Sequence, residues 1–244
     1  MNYLIELIAQ NNMSKLLYDI FFALGFFSVL LFVFISGRKM NVSSWKILGV
    51  VLTVYPLAVL WMFVLYWIET GFFGGNNIVR VFVYVPLIAY PIARVLKIPY
   101  NKVLSMVAFG PIAVQSTSHF GCIFEGCCYG YIQQWGLYNR VTGCLHFPIQ
   151  PIEAIISLLI ILYLLARAKK RNYVPDGLEY PLMLVIFGST RFLCEFLRDN
   201  DKLIWGISNL AFHALFMFVV GVVWIILAKR KKKAEQPIAV EEAV

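Results

Sequence analysis

The sequence predicts an all-α, polytopic membrane protein with about seven transmembrane helices. Three observations support this fold class: 61% of the 244 residues are hydrophobic, only 14% are charged, and the mean hydropathy is +0.77. A soluble domain carries roughly 25% charged residues, so this chain has too little polar surface to cover a water-soluble globule. The composition excludes a cytosolic enzyme, an ordinary secreted domain and a disordered chain, and the long apolar runs exclude a transmembrane β-barrel.

The apolar runs define the predicted elements in chain order. Residues 1–15 have no basic leader and are interrupted by Glu6 and Gln10, which predicts an interfacial helix rather than a cleavable signal peptide. Residues 1–233 are predicted to form one transmembrane domain and residues 234–244 a disordered cytoplasmic tail. A spanning helix needs about 20 mainly apolar residues. The predicted spans are Leu16–Ile35, Ile47–Ile68, Val79–Val95, Val103–Phe124, Ile152–Ala166, Tyr180–Glu195 and Leu203–Ala228.

The basic residues predict the orientation of these spans. Fifteen of the 21 Lys and Arg residues fall in the loops and tail on one side of the predicted membrane. Short loops rich in Lys and Arg stay in the cytoplasm, which places the N-terminus outside and the C-terminus inside. This distribution also accounts for the net charge of +8 without any nucleic-acid partner, because the charges lie beside anionic lipid.

Ionisable side chains inside spans are costly, so each is a functional candidate. Arg191 and Glu195 are four residues apart, and on one helix they share a face and can pair. Two interpretations remain open: a structural ion pair, or an arginine that holds a lipid phosphate. His213, in the last span, is either a neutral core residue or a functional one.

The densest group of polar residues and cysteines is the turn from Ser118 to Gly130. Gly121, Gly126 and Gly130 permit backbone conformations closed to other residues and let amides approach a ligand closely. Successive backbone amides in such a turn can form an anion-binding nest. We therefore expect this turn to hold a phosphate or a developing oxyanion.

Four of the five cysteines, at positions 122, 127, 128 and 144, lie in or just after this turn. Outside the cytoplasm cysteines can oxidise, so the leading interpretation is a disulfide from Cys127 or Cys128 to Cys144. Zinc binding by cysteines with His119 and His146 is a second interpretation, and a catalytic thiol is a third. The spacing matches no established zinc pattern, and adjacent cysteines are expected to point apart, so we predict no metal.

Four segments resemble the prolipoprotein diacylglyceryl transferase family, in the family's order, over roughly residues 15–228. Tyr18–Phe26 is similar to Y-G-L-x-Y-x-x-G-F, and Ser118–Gly130 to the signature G-R-x-G-N-F-x-N-x-E-x-x-G. Phe147–Ala154 resembles H-P-x-Q-x-x-E-A. Phe187–Arg198 closely resembles Y-G-x-x-R-F-x-x-E-F-x-R.

The resemblance implies transfer of a diacylglyceryl group from phosphatidylglycerol to the lipobox cysteine of a preprolipoprotein. It implies a monomeric multi-pass enzyme in the bacterial cytoplasmic membrane, with no cofactor. Arg191 would steady the phosphate, Glu195 would orient Arg191, Tyr18 would bond the head group, and His119 would accept the thiol proton. Substrate contacts are implied at Gly121, Cys122, Glu125, Gly126, Gly130, Gln150 and Glu153.

The chain departs from the family pattern at positions that the family uses in catalysis. His119 stands at the signature arginine, Cys122 and Glu125 at its asparagines, and Cys127 at its glutamate. The H-G-G motif corresponds to Phe73-Gly74-Gly75, without the histidine. The alternative interpretation is therefore a relative that binds lipid or lipoprotein without turnover. A small-solute transporter is a third possibility, for which no broken helix pair or coupling carboxylate is evident.

Overall fold

The computed structural model describes the backbone of residues 13–72, 78–199 and 207–241, and the side chains of 13–72, 79–199 and 207–233. The described chain is mostly helical, as predicted. Four helices are long and apolar enough to cross a membrane. They are Ser14–Lys39, Ser44–Thr70, Ile149–Lys170 and Asn209–Lys233. The helices are α1 (Ser14–Lys39), α2 (Ser44–Thr70), α3 (Val85–Val95), α4 (Tyr100–Val107), α5 (Gly110–Glu125), α6 (Ile149–Lys170), α7 (Glu179–Glu195) and α8 (Asn209–Glu241).

Two of the predicted spans are interrupted. The third begins as a single 3-10 turn, Ile78–Arg80, and becomes α-helical only at Val85. The fourth is divided into α4 and α5 just before Pro111, which occupies the first turn of α5. Proline has no N–H to donate to the helical ladder and is favoured in the first turn of a helix. The described helices support four full-length spans, and the predicted total of seven stays a prediction.

A small antiparallel hairpin, which the all-α prediction did not include, forms between α5 and α6. Strands β1 (Ile132–Tyr138) and β2 (Leu145–His146) pair with Leu137 opposite His146. Gly136 has a φ of 122°, and a Cβ there would lie 2.1 Å from the His146 carbonyl oxygen. The strands therefore approach more closely than any residue with a side chain would allow.

Three predicted features involve the parts that the structure leaves undescribed. The interfacial helix at residues 1–15 falls mainly on positions 1–12, outside the described residues, and its last two residues belong to α1. The predicted start of the last span at Leu203 also lies outside them, and α8 begins at Asn209. The disordered tail at 234–244 falls on positions whose side chains are not described and stays a prediction.

Close packing of α1 against α5 forms one wall of the bundle. A Cβ at Gly25 would lie 2.5 Å from Thr117 Oγ1 and 3.1 Å from the Val114 Cα atom. Small residues of this kind let two helices in a membrane approach until their backbones nearly touch. The position of Gly25 thus sets the distance between α1 and the helix that carries His119.

We expect Gly25→Leu to lower the free energy of unfolding by about 1–3 kcal/mol, because the added side chain overpacks this contact. The measurement is unfolding in mixed detergent micelles, followed by circular dichroism. Phe27→Leu, at a position of α1 that is 63% exposed, is the matched control and should change little. Equal stability of the two variants would contradict the close contact.

The loops rich in Lys and Arg gather at one end of the bundle. Lys46 Nζ donates to the Lys97 carbonyl oxygen at 3.0 Å, and Lys102 Nζ donates to that of Met40 at 2.7 Å. Lys232 Nζ donates to the carbonyl oxygen of Asp176 at 3.1 Å. These loops therefore share one side of the protein, whereas its orientation in the membrane stays a prediction.

A compact ion-pair cluster joins α6 to the start of α7 at this end. Arg167 Nη2 lies 2.5 Å from Asp176 Oδ2, and Arg167 Nη1 lies 3.2 Å from Glu179 Oε1. Burial alone raises the pKa of Asp176. The hydrogen bonds from Arg167 and from the Leu178 amide outweigh this effect and lower the pKa to about 2.

A carboxyl group whose pKa falls on folding stabilises the protein above its ordinary pKa, and that stability is lost as the pH drops toward the folded value. We therefore expect the wild type to lose more unfolding free energy than Asp176→Asn between about pH 5 and pH 2. Chemical unfolding at a series of pH values measures this. Asp19→Asn removes a carboxylate that is 57% exposed and should leave the wild-type pH dependence unchanged.

Candidate functional site

A cavity of about 670 Å³ lies between α1, α2 and α5. Its walls are apolar over most of their area, with contributions such as Phe22 from α1 and Met62 from α2. Its polar end is formed by the last turns of α5 and the residues that follow, including His119 and Cys122. A volume of this size with one polar end is typical of a site for a small amphipathic molecule.

Behind this polar end, Glu153 is the centre of a buried charge network. It lies in the first turns of α6, and only 3% of its surface is exposed. Arg191 Nη1 donates to Glu153 Oε1, and Arg198 Nη2 donates to Glu153 Oε2. A buried carboxylate is costly unless it is paired. The two arginines therefore stabilise Glu153 at this buried position.

Glu195 is the second carboxylate of the network. Its Oε1 lies 2.5 Å from Arg191 Nη2 and 3.6 Å from Arg198 Nε. Ser208 donates its hydroxyl proton to Glu195 Oε2 at 2.8 Å. Two guanidinium groups thus face two carboxylates, and the charges within the network balance. The predicted pairing of Arg191 with Glu195 is confirmed.

Arg198, which follows the end of α7, is as buried as the carboxylates, at 4% exposure. Burial alone lowers the pKa of a guanidinium, but the charges of Glu153, Cys128 and Glu195 more than compensate. The pKa of Arg198 is therefore raised above its ordinary value. The positive charge of Arg198 is a permanent part of the site.

His119 joins the charge network to the cavity. Its Nδ1 atom lies 3.1 Å from Glu153 Oε2, and His119 also lines the cavity wall. The two groups face each other at this distance, but Nδ1 makes no hydrogen bond within the described part of the chain. His119 is therefore the network residue best placed to exchange a proton with a molecule in the cavity.

The predicted catalytic residues are brought together in two layers. Tyr18 and His119 line the cavity, whereas Arg191 and Glu195 lie behind it and reach it through Glu153. Within the described part of the chain, Nε of Arg191 has no hydrogen-bond partner.

Only some of the predicted substrate-binding residues lie at the cavity. Cys122 lines the cavity. Gly121 instead lies at a helix contact, where a Cβ would be 3.1 Å from the Cα atom of Tyr18. Glu125 faces away from the network and pairs with Arg140 at 3.0 Å, with 33% of its side chain exposed. Both residues therefore have structural contacts that the sequence does not reveal.

The remaining predicted contacts shape the turn. Gly126 ends α5 in the left-handed conformation, with φ of 78°, which favours glycine. A Cβ at Gly130 would lie 2.7 Å from the carbonyl oxygen of Phe147, so a close backbone approach requires this glycine. Gln150 donates to the carbonyl oxygen of Cys127 at 3.1 Å, which ties the turn to α6.

The cysteines do not form the predicted disulfide from Cys127 or Cys128 to Cys144. All five are free thiols, and Cys127 and Cys128 group with Cys122 rather than with Cys144. His146 is no longer a ligand candidate, because Gly130 and Thr142 engage its two ring nitrogens at 2.6 and 2.7 Å.

A second, smaller ion-pair group lies at the start of α8. His213 Nε2 is 3.0 Å from Glu69 Oε1, and Arg80 Nη2 is 2.9 Å from Glu69 Oε2. The guanidinium of Arg80 also stacks over the ring of Tyr66, with 5.1 Å to the ring centroid. His213 is thus half-buried and paired with a carboxylate, rather than bonded to a backbone carbonyl.

Sequence reasoning did not name Arg198 as a candidate site residue. The signal was available, since Arg198 ends the Phe187–Arg198 motif, but an arginine outside a span gives no sign of burial. Glu153 was predicted as a substrate contact, and the structure places it instead at the centre of the charge network.

Comparison with known proteins identifies relatives of this chain. The profile of the prolipoprotein diacylglyceryl transferases matches residues 9–227. A phosphatidylglycerol–prolipoprotein diacylglyceryl transferase of Dehalococcoides mccartyi strain 195 is 27% identical over 138 residues, 53% of this chain and 52% of that protein. The protein with the same name from Mycobacterium tuberculosis strain H37Rv is 28% identical over 159 residues, 56% of this chain and 34% of the relative.

The matched region spans about half the length of the Dehalococcoides relatives and about a third of the mycobacterial ones. The family profile, in contrast, covers most of the described chain, including α1, the turn after α5, and α7. With its apolar helices, this makes the chain a multi-pass membrane protein. The chain belongs to the prolipoprotein diacylglyceryl transferase family.

Proposed function

We propose that this protein transfers a diacylglyceryl group from phosphatidylglycerol to the cysteine thiol of a prolipoprotein. It acts as a monomer at the outer face of the bacterial cytoplasmic membrane, with its C-terminus in the cytoplasm. One observation carries this proposal: His119, with its Nδ1 atom 3.1 Å from the buried Glu153, stands at the polar end of an apolar cavity. This arrangement offers a proton acceptor beside a space suited to a lipid head group.

The reaction exchanges one bond at the glycerol carbon for another. The cysteine sulfur attacks the carbon that bears the phosphate, a C–S bond forms, and the C–O bond to the phosphate breaks. Glycerol phosphate leaves with the electron pair of that bond. The thiol proton passes to His119 and then to the leaving phosphate, so that atoms and charges balance.

His119 changes the charge of the site during this step. When it accepts the thiol proton, the imidazolium lies between Glu153 and the departing phosphate. The carboxylate stabilises the new positive charge on one side, and the positive charge stabilises the phosphate on the other. The logic is that of a carboxylate–histidine pair, in which the carboxylate orients the base and does not itself take the proton.

The other predicted residues support this pair. Arg191 and Arg198 keep Glu153 ionised and fixed, and Glu195 orients Arg191 from the opposite side. Tyr18 lines the same cavity and is positioned to bond the head group. Arg191 acts on the phosphate through its charge, since its two terminal nitrogens are already engaged by carboxylates.

The activity is tested directly with the purified protein. A lipobox peptide incubated with phosphatidylglycerol vesicles should gain the mass of one diacylglyceryl group, and glycerol phosphate should appear in equal amount. A peptide with serine in place of cysteine is the control and should stay unmodified. Binding of peptide and lipid without a mass change would support the alternative of a relative without turnover.

Arg191→Ala should reduce this transfer by about 100-fold, which is the order of effect for removing one electrostatic stabiliser. The measurement is rescue of a strain depleted of its own transferase, together with the peptide assay. Arg140→Ala removes an arginine that is partly exposed and pairs with Glu125, so it is a suitable control and should retain activity. Full rescue by Arg191→Ala would overturn the role of this arginine.

A further inference from the structure

Three thiols converge at the polar end of the cavity. The Sγ atoms of Cys122, Cys127 and Cys128 all lie within 4.8 Å of one another, and all three residues line the cavity. The proposed transfer needs only the thiol of the substrate, so none of its bond-making steps uses these three thiols.

The chain brings these thiols together through one turn. Cys122 lies in the last turn of α5, and Gly126 ends the helix in the left-handed conformation. The amide of Cys127 then donates to the carbonyl oxygen of Cys122 at 3.3 Å, which folds the chain back over the helix end. Gln150 anchors the carbonyl group of Cys127 from α6.

Cys128 has a backbone conformation that is unusual for a residue with a side chain. Its φ is 58°, in the left-handed region, which costs of order 1–2 kcal/mol for a residue other than glycine. In an extended chain, adjacent side chains point to opposite sides, and the sequence analysis expected this of Cys127 and Cys128. The left-handed residue removes that alternation, so both sulfur atoms approach Cys122. Strain of this kind is concentrated at functional sites.

We propose that Cys122, Cys127 and Cys128 bind a thiophilic divalent cation, with Zn²⁺ as the physiological example. Three thiolates around a tetrahedral zinc ion at about 2.3 Å would place their sulfur atoms about 3.8 Å apart, within the spacing observed. The cluster consists of sulfur atoms alone, a ligand set that selects soft or borderline ions over Mg²⁺ or Ca²⁺.

The surroundings favour this chemistry. All three cysteines line the cavity, which gives an incoming ion access to their sulfur atoms. Three thiolates would leave one position of a tetrahedral zinc ion for a further ligand.

The test uses the full-length protein, purified in detergent with a thiol-free reductant and depleted of metal. Titration with Co²⁺ should produce the charge-transfer absorption of a cobalt thiolate that saturates at one ion per chain, and added Zn²⁺ should displace it. Cys127→Ser and Cys128→Ser should lose this absorption. Cys144→Ser, a cysteine near the turn but outside the cluster, should keep it.

A second measurement avoids any substitution. Zn²⁺ should protect positions 122, 127 and 128 of the wild type from alkylation by a maleimide, whereas Cys144 reacts at the same rate with or without metal. Absence of a cobalt signal in the reduced wild type would overturn the proposal. So would a disulfide within the cluster that persists under reductant, or unchanged metal binding in Cys127→Ser. None of these readouts depends on lipid transfer, so the cation site and the proposed enzyme fail or stand separately.

Discussion

Glu153→Gln is expected to destabilise the protein by about 3–5 kcal/mol, the cost of leaving buried charges without a partner. The substitution keeps the shape of the side chain but removes the charge that faces Arg191 and Arg198. Glu195 remains close to Arg191, at 2.5 Å, but it lies 3.6 Å from Arg198. Arg198 would therefore lose most of the negative charge that balances its guanidinium, while only 4% of its surface is exposed. Unfolding in mixed micelles measures the change.

Glu125→Gln provides the matched comparison. Glu125 also pairs with an arginine, at 3.0 Å, but 33% of its side chain is exposed. An exposed pair of this kind contributes about 0–1 kcal/mol, so the two substitutions should differ several-fold in effect. The double variant Glu153→Gln with Arg198→Met should recover part of the lost stability, because it removes the stranded charge as well. Equal losses for Glu153→Gln and Glu125→Gln would show that burial does not determine the cost.

Much of the fold could be predicted because apolar length alone defines a membrane span. The long runs that became α1, α2, α6 and α8 are all recognisable from length and composition. The same reasoning failed at Pro111, because a hydropathy pattern does not register a missing backbone N–H. It also missed the β1–β2 hairpin, whose pairing depends on contacts between Leu137 and His146 that no local pattern specifies.

The candidate site was predictable only where its geometry is local. Arg191 and Glu195 lie on one helix, so their spacing of four residues was enough to predict the pair. The convergence of His119, Glu153 and Arg198 depends on α5, α6 and the end of α7 packing together. Long-range packing of that kind leaves no periodic signal. The direction of the Cys127 and Cys128 side chains was likewise unpredictable. Adjacent side chains ordinarily point to opposite sides of the chain, but the left-handed backbone of Cys128 removes this alternation.

The arrangement also explains how a charged cluster is tolerated beside an apolar cavity. Arg191 and Arg198 are balanced by Glu153 and Glu195, so these four side chains together carry no net charge. Within the network, His119 is the residue that also lines the cavity. Chemistry at this site should therefore depend on His119 at least as much as on any single arginine.

His119→Gln is accordingly expected to reduce the transfer rate by about 10²–10⁴-fold, the range for loss of a general base. Glutamine is similar in size and can still bond to Glu153, but it cannot accept the thiol proton. Stability should change much less than in Glu153→Gln, because no charge is left unpaired. Single-turnover transfer to a lipobox peptide over a range of pH separates the two effects. The variant should transfer more slowly at every pH tested, while its free energy of unfolding stays close to that of the wild type.

His119→Arg distinguishes a proton acceptor from a fixed positive charge. An arginine at this position would bring a third guanidinium toward Glu153, whose two oxygens already accept from Arg191 and Arg198. It would also stay protonated at any working pH. If His119 acts as the base, His119→Arg should be as inactive as His119→Gln. Activity restored by arginine, but not by glutamine, would assign the position an electrostatic role and require another base. Because glutamine and arginine fail for different reasons, the two variants together decide which property of the imidazole the reaction uses.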